Sequence, residues 1–275
     1  MVIQTGYVAI LDALGVSSYT IEEAEAFNSK KIQLLTALNE ANIRNREIFE
    51  RISSKFYAER GFRINYPEMT VTTFGDSIII SWKIDECVSP EYILPVVAIW
   101  IENAIFWGLH HHILLRGSIS VGKYLIDNSA IVNTASNTTI IGPAIADANA
   151  WAQEADWFGV FLTPHCQQCL TKMLENRGTA IVPIELLFVK YSVPLHNNKG
   201  YKELFAISWP SLFLLPQKGM SVVRLDGFSK MLSRFDIPKG KESKYENSIA
   251  FFKNFEMNVL PSIMAQTQRA GMVPP

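Results

Sequence analysis

Two aspartates interrupt runs that otherwise read as buried β-strand: Asp12 in YVAILDALG and Asp76 in TVTTFGDSIIISW. A carboxylate at the end of a buried strand is costly unless something pairs with it. Each strand must therefore end where a partner waits. Small or turn-forming residues follow each aspartate, Ala13-Leu14-Gly15-Val16 in one case and Ser77 in the other. Taken together, the two ends imply one shared site for divalent cations. Mg²⁺ and Mn²⁺ take hard oxygen ligands, using one or two carboxylates completed by substrate phosphates. The 13–16 stretch can turn main-chain N–H groups toward those phosphates. Taken singly, each aspartate has a plainer reading: Asp76 as a turn residue bonding its own backbone, Asp12 as the cap of the next helix.

The pattern along the chain predicts a strand over 6–11, a turn at Gly15, and a long helical region over 21–58 with a break at its Asn-rich spots. Strands over 70–74 and 77–82 form a hairpin with Gly75-Asp76 at its tip. A helix over 95–109 has its proline in the first turn. The segments 114–121 and 124–132 read as a second hairpin. Beyond them come an alanine-rich helix over 144–155, a strand over 159–162 and a helix over 164–174. The rest reads as an edge strand over 181–194, a turn at 197–200, an extended segment over 204–209, a charged hinge over 239–245 and a last helix over 246–259. No repeat or low-complexity linker divides the chain. A single α+β domain over 1–262 is expected, with 263–275 as a flexible C-terminal tail.

Composition narrows the function. At 275 residues and 48% hydrophobic the chain is globular, and its net charge of −1 lacks the basic footprint of a duplex-binding protein. No nucleic-acid partner is expected. Three cysteines, an odd number, argue against a disulfide framework and for a reducing compartment. The N-terminus has no basic region before its apolar run, so it does not read as a signal peptide. The apolar stretch over 92–109 carries Glu102 and Asn103 and reads as a buried helix, not a membrane span. A cytoplasmic protein without membrane contact is the expectation.

Other chemistry-bearing residues have plainer readings. His110, His111 and His112 are consecutive and cannot all face one ion. Cys166 and Cys169, beside His165, form a CxxC without a second cysteine pair and read as a helix face. Trp151 and Trp157 suit a core or a dimer interface, and Lys190 a solvated surface.

The order of these features resembles the class III nucleotide cyclase catalytic domain: strand with Asp, long helix, Gly-Asp hairpin, helix, RGSISVG from Arg116, then IGPAI before a helix. Within that group the chain is most similar to the Pycsar pyrimidine (uridylate and cytidylate) cyclases of bacterial anti-phage defence. The resemblance covers residues 6 to about 164, with weaker support from AISWP at 206–210. It implies an α+β fold with an antiparallel-rich sheet, helices on one face and a ferredoxin-like βαββαβ core. It also implies a homodimer with interfacial active sites, converting a nucleoside triphosphate to its 3′,5′-cyclic monophosphate and pyrophosphate. Asp12 and Asp76 would bind two Mn²⁺ or Mg²⁺ ions, with the Ala13 carbonyl as a main-chain ligand. Leu14, Gly15 and Val16 would contact the phosphates, and Arg116 occupies the position of the family's strand arginine; its plainer reading is a structural ion pair.

Two positions bear on the base. Where purine cyclases carry a lysine and an acidic or small polar group, this chain has Thr72 and Thr139. Two hydroxyls, each able to donate or accept, fit the smaller edge of a pyrimidine. UTP is expected ahead of CTP. The family's helix asparagine and arginine align with Ala146 and Ala150. That departure keeps two alternatives open: a purine (adenylate or guanylate) cyclase, or a catalytically silent nucleotide-sensing dimer module.

Overall fold

Side chains of the first strand alternate strictly, and that alternation builds the two sides of the protein. A computed structural model describes residues 2–16, 19–60, 65–86, 88–132, 135–175, 186–196, 199–215, 221–235, 237 and 239–269. In chain order the elements are β1 (Val2–Ala13), α1 (Ile21–Arg60), β2 (Met69–Phe74), β3 (Ser77–Lys83), α2 (Leu94–His110), β4 (Leu115–Val132), β5 (Ala135–Ile141), α3 (Pro143–Glu154) and β6 (Gly159–Leu162). They continue with α4 (Pro164–Glu175), β7 (Phe188–Pro194), β8 (Tyr201–Ile207), α5 (Ser211–Leu214), α6 (Leu225–Leu232), α7 (Glu242–Asn254) and α8 (Leu260–Arg269).

The first six elements form an antiparallel βαββαβ unit with strand order β2-β3-β1-β4. Past β4 the sheet continues through β6, β8 and β7, and β5 pairs with the far part of β4. The β4–β6 pair is parallel; the other described pairs are antiparallel. The α+β, antiparallel-rich architecture is thus as the residues imply.

The expectation of helices on one face needs a correction, because α3 covers the other. Tyr7, Ala9 and Leu11 of β1 join the core beneath α1 and α2, while Val8 and Ile10 pack with Ala144, Ala148 and Ala152 of α3. A strand alternates sides residue by residue, so apolar residues at both parities require cover on both faces. Two serines of β4 fasten α3 down: Ser118 Oγ donates to the Ala148 carbonyl at 2.6 Å and Ser120 Oγ to Asp147 Oδ2 at 2.6 Å.

Four other expectations change. The hairpin over 114–132 is one continuous strand, since Gly122 and Lys123 stay in register with Gly6 and Thr5 of β1. Gly122, at φ 150°, supplies a bend within the ladder instead of a turn. The break expected in the first helix is absent; α1 runs unbroken from a capping box in which Thr20 N donates to Glu23 Oε2 at 2.7 Å. The hinge over 239–245 is partly helical, because α7 begins at Glu242. After α7 the chain passes through a π-turn (Phe255–Val259) into α8, so the boundary expected at 262/263 falls inside a helix with Ile263 buried. Residues 181–185, 197–198 and 270–275, which carried part of the edge strand, the turn and the tail, lie outside the described residues.

The helix α2 explains the long apolar stretch. Thirteen of its 17 residues are buried, Glu102 among them, as it packs against α1 on one side and against β4, β8 and Phe213 of α5 on the other. Among the described residues no helix is long and apolar enough to cross a membrane. The C-terminal helices close on an aromatic cluster in which Phe228 stacks on Phe252 at 4.1 Å and Trp209 tilts on Phe251 at 5.8 Å. Phe251 also meets Trp157, just before β6, edge-on at 4.7 Å, and the first turn of α7 reaches the cavity at the end of β1.

Candidate active site

Asp12 stands at the end of β1, opposite Ser77 of β3 on one side and Arg116 of β4 on the other. Parity puts it on the α3 face, in line with Val8 and Ile10, where the sheet ends and the carboxylate reaches solvent. Ser77 Oγ donates to Asp12 Oδ1 at 2.6 Å, which orients the carboxylate and leaves Oδ2 open to the cavity. Asp76 lies in the β2–β3 turn, where Gly75 adopts φ 56°, a left-handed conformation that favours glycine. Two contacts hold that turn: Lys31 Nζ donates to the Gly75 carbonyl at 2.9 Å, and Ala13 N to the Asp76 carbonyl at 3.1 Å.

A cavity of about 290 Å³ gathers these residues. Asp12, Ala13, Leu14, Gly15, Val16, Asp76 and Arg116 all line it, with Ser77 beside them. The donor set, two carboxylates and the main chain of Ala13 at one opening, fits a divalent cation whose other ligands come from a phosphate-bearing substrate. Among the described residues no group of three or more His, Cys, Asp or Glu side chains could hold a metal ion without such help.

Thr72 and Thr139 are not brought to this cavity. Thr72 lies half-buried on β2 opposite Ile79, and Thr139 exposed on β5 opposite Asp127. Ala146 and Ala150 point to solvent from α3. From the same helix Asn149 and Gln153, one turn apart, line the cavity. Sequence reasoning missed them; the available signal was their phase, offset from the buried Ala144, Ala148 and Ala152 stripe.

It also missed the opposite wall. Lys241, Lys244 and Tyr245 at the start of α7 line the cavity. Asn247 Nδ2 donates to the Asp156 carbonyl at 2.7 Å, and Phe158 N donates to Ser248 Oγ at 2.8 Å, so α7 is fastened to the segment before β6. Lys244 is buried at 3% exposure. Its Nζ donates to His196 Nε2 at 2.6 Å, and Arg116 Nη1 approaches the same nitrogen at 3.1 Å. On the other side of the ring, Nδ1 lies 3.2 Å from Asp156 Oδ1, which puts the imidazole proton on Nδ1 and leaves Nε2 as the acceptor. Burial, then the Arg116 charge, pushes the Lys244 ammonium down to about 8, against the opposing pull of Asp156. Burial and the Lys244 charge likewise lower His196.

The remaining residues take structural places. Trp157 is buried and stacks on Tyr191 at 5.5 Å, and Trp151 lies edge-on to Phe161 at 6.4 Å. Lys190 pairs with Glu203 at 2.7 Å. Cys166 and Cys169 are free thiols along α4, and the three histidines run out of the end of α2. A neighbouring cavity of about 390 Å³, lined in part by Tyr19, Phe27, Lys30 and Arg234, shares Leu14, Gly15 and Tyr245 with the first.

No family model and no curated protein matches the chain. Among solved structures, it is similar to the catalytic core of a rhodopsin-guanylyl cyclase with converted specificity in complex with ATPαS. That match has 10% identity and a TM-score of 0.40, covering 74% of this chain and 95% of the other. It is also similar to the non-canonical dimeric guanylyl cyclase domain of the RhoGC fusion protein from the aquatic fungus Blastocladiella emersonii, at 11% identity and a TM-score of 0.35, covering 74% and 93%.

Proposed function

We propose that this protein is a nucleotide cyclase, a phosphorus–oxygen lyase that converts UTP, and less readily CTP, to the 3′,5′-cyclic monophosphate and pyrophosphate. The observation that carries the reading is the convergence of Asp12 and Asp76, from separate elements of a βαββαβ sheet, on one cavity walled by cations. Carboxylates facing cations across a cleft suit a metal–polyphosphate ligand better than a neutral one.

Asp12, Asp76 and the Ala13 carbonyl would hold two Mn²⁺ or Mg²⁺ ions. Bound ions would supply a lowered pKa for the ribose 3′-hydroxyl and neutralisation of the departing pyrophosphate. The chain's own part is positioning and electrostatics. Ser77 fixes the Asp12 carboxylate. The backbone at Leu14, Gly15 and Val16 meets the phosphates, and Arg116 faces the charge that builds as the 3′-oxygen bonds to the α-phosphorus and the bond to the β-phosphate oxygen breaks. Asn149 and Gln153 offer amides for ribose hydroxyls, a polar function that Ala146 and Ala150 cannot provide.

Base choice belongs to Thr72 and Thr139. As they lie away from the Asp12 cavity of their own chain, they would act from the second copy of a homodimer with shared sites. A pocket without the charged purine partners favours a pyrimidine, and a cyclic pyrimidine nucleotide would serve as a second messenger in anti-phage defence. Incubation with each of four triphosphates and Mn²⁺, followed by product analysis, tests the reading. Cyclic UMP or cyclic CMP is expected, with kcat/KM at least about 100-fold above ATP and GTP, roughly 3 kcal/mol of discrimination. A purine product would overturn the base assignment, and no cyclic product the catalytic one.

A further inference from the structure

One neutral ring nitrogen holds two cations at the edge of the cavity. His196 Nε2 receives Lys244 Nζ at 2.6 Å and Arg116 Nη1 at 3.1 Å. Arg116 is half-buried, and the same Nη1 also reaches the Ala155 carbonyl at 3.3 Å. Its Nε is buried and has no hydrogen-bond partner among the described residues. The ring itself is pinned: His196 N donates to the Glu154 carbonyl at 2.7 Å, and Nδ1 lies 3.2 Å from Asp156 Oδ1. The charged groups that face it are buried Lys244 and exposed Lys241 from α7, Arg116 from β4, and Asp156 from the segment before β6. Asp156 reaches Lys244 only at 3.7 Å. Glu154 and Lys199, close by, pair with each other at 2.6 Å.

A second proton on this imidazole must go to Nε2, onto the lone pair that both cations use. The imidazolium has two N–H donors and no acceptor, so its new N–H would meet Lys244 Nζ donor against donor and charge against charge. We infer that His196 is a positioning residue for Arg116 and Lys244 and an acid-operated latch on the cavity: neutral, it holds both cations in place, and protonated, it releases them. The inference rests on the reading of the cavity as a triphosphate site and adds the regulation of that site by pH. The proton comes from solvent, to which the side chain is 26% exposed. Burial and then the Lys244 charge hold the imidazole below its ordinary 6.5; Asp156 pulls it up, and Arg116 and Lys241 add to the lowering. The latch is therefore closed at neutral pH and opens in acid. The unfolded chain takes up this proton near pH 6.5 and the native state only at lower pH, so opening also lowers stability as pH falls through that window. Asp156→Asn removes the charge that raises the imidazole, and Lys244→Met one that lowers it. The two variants should move the opening in opposite directions.

Imidazole NMR spectra over about pH 4.5 to 7.5 test the latch without any turnover. The His196 signal, assigned by its loss in His196→Gln, is expected to titrate below 6.5, at still lower pH in Asp156→Asn and at higher pH in Lys244→Met. The Lys244 side-chain signal should move at the same midpoint in wild type. In turnover, kcat/KM for the triphosphate should fall by about tenfold per pH unit below that midpoint. His196→Leu, which offers no acceptor, should lose about tenfold or more at pH 7.5. His196→Gln, whose amide oxygen accepts without titrating, should recover most of that loss and lack the acid limb. Thermal melts confirm that each variant is folded. A His196 midpoint at or above 6.5, a Lys244 signal that ignores it, or an acid limb that persists in His196→Gln would overturn the inference. Coupled titration of His196 and Lys244 in a protein that cyclises no triphosphate would uphold the latch and overturn the proposed activity.

Discussion

Replacing Lys244 by methionine should make the protein more stable at neutral pH, although it removes a cation from the cavity wall. Burial and the Arg116 charge lower the ammonium from 10.5 to about 8. At ~1.4 kcal/mol per unit, the native state pays on the order of 3 kcal/mol to keep Lys244 charged. Methionine retains most of the apolar stem, and His196 Nε2 keeps Arg116 as a donor, so the lost hydrogen bond returns only about 1 kcal/mol. The net gain at pH 7 is about 2 kcal/mol, on the order of 5 °C in Tm. The pH dependence carries the sign. Below about pH 8 both native and unfolded states hold the proton, and the penalty is fully present. Between about 8 and 10.5 the unfolded chain still binds a proton that the native state has released, so wild-type stability rises with pH through that window. The variant lacks this rise, so the two curves should cross at about pH 9.5, with wild type about 1 kcal/mol ahead by about pH 10.5. Urea unfolding at pH 7, 9 and 10.5 makes the comparison. A variant less stable than wild type by more than about 1 kcal/mol at pH 7, or a wild-type curve flat across the window, would refute the assignment of a buried cation that Asp156 compensates only in part.

Asp12→Asn and Asp76→Asn should each leave the melting profile near wild type and abolish cyclisation; residual activity within about tenfold of wild type, ~1.4 kcal/mol of barrier, would sink the metal assignment. Gly117→Ala should destabilise by about 3 kcal/mol or more, because the new Cβ would lie 2.1 Å from the Ile10 carbonyl oxygen and force β1 from β4; chemical denaturation reads the loss. Glu102 is buried in α2, and burial alone pushes its carboxyl well above 4.5. The unfolded chain releases this proton above about pH 4.5 while the native state keeps it, so stability falls as pH rises from there, and Glu102→Gln should remove that slope; parallel curves at pH 5 and 8 would contradict it. Sedimentation at micromolar concentration should find a two-fold dimer, and a fully active monomer would exclude shared sites.

Local chemistry made part of this protein legible. The hairpin bearing Asp76 could be read because Gly75 and the alternation on either side act within a few residues, and Asp12 because one charge ends an apolar run. The continuous β4 was misread as two strands, since Gly122-Lys123 looks like a turn until Gly6 and Thr5 of β1 pair across it. The lysines at the start of α7 read in the sequence as part of a charged hinge. The burial of Lys244 comes from contacts roughly 90 residues away in sequence, Ser248 to Phe158 and Asn247 to Asp156, which no local pattern records. Asn149 and Gln153 were hidden for a related reason: the buried alanines set the helix phase, and that phase depends on which face of the sheet α3 covers.

The placement of Asp12 also bears on how the sheet finds its alignment. Both neighbours of β1 run in unbroken register, and a slip of one residue would exchange every side chain between faces. Asp12 would then enter the packed layer of Ile78, Ile80 and Trp82, at a cost of several kcal/mol for an unpaired carboxylate. The residue proposed to hold metal would thus also penalise a slipped pairing of the strands. Asparagine preserves that check in an inactive control, whereas leucine at the same position would remove the function and the alignment signal together.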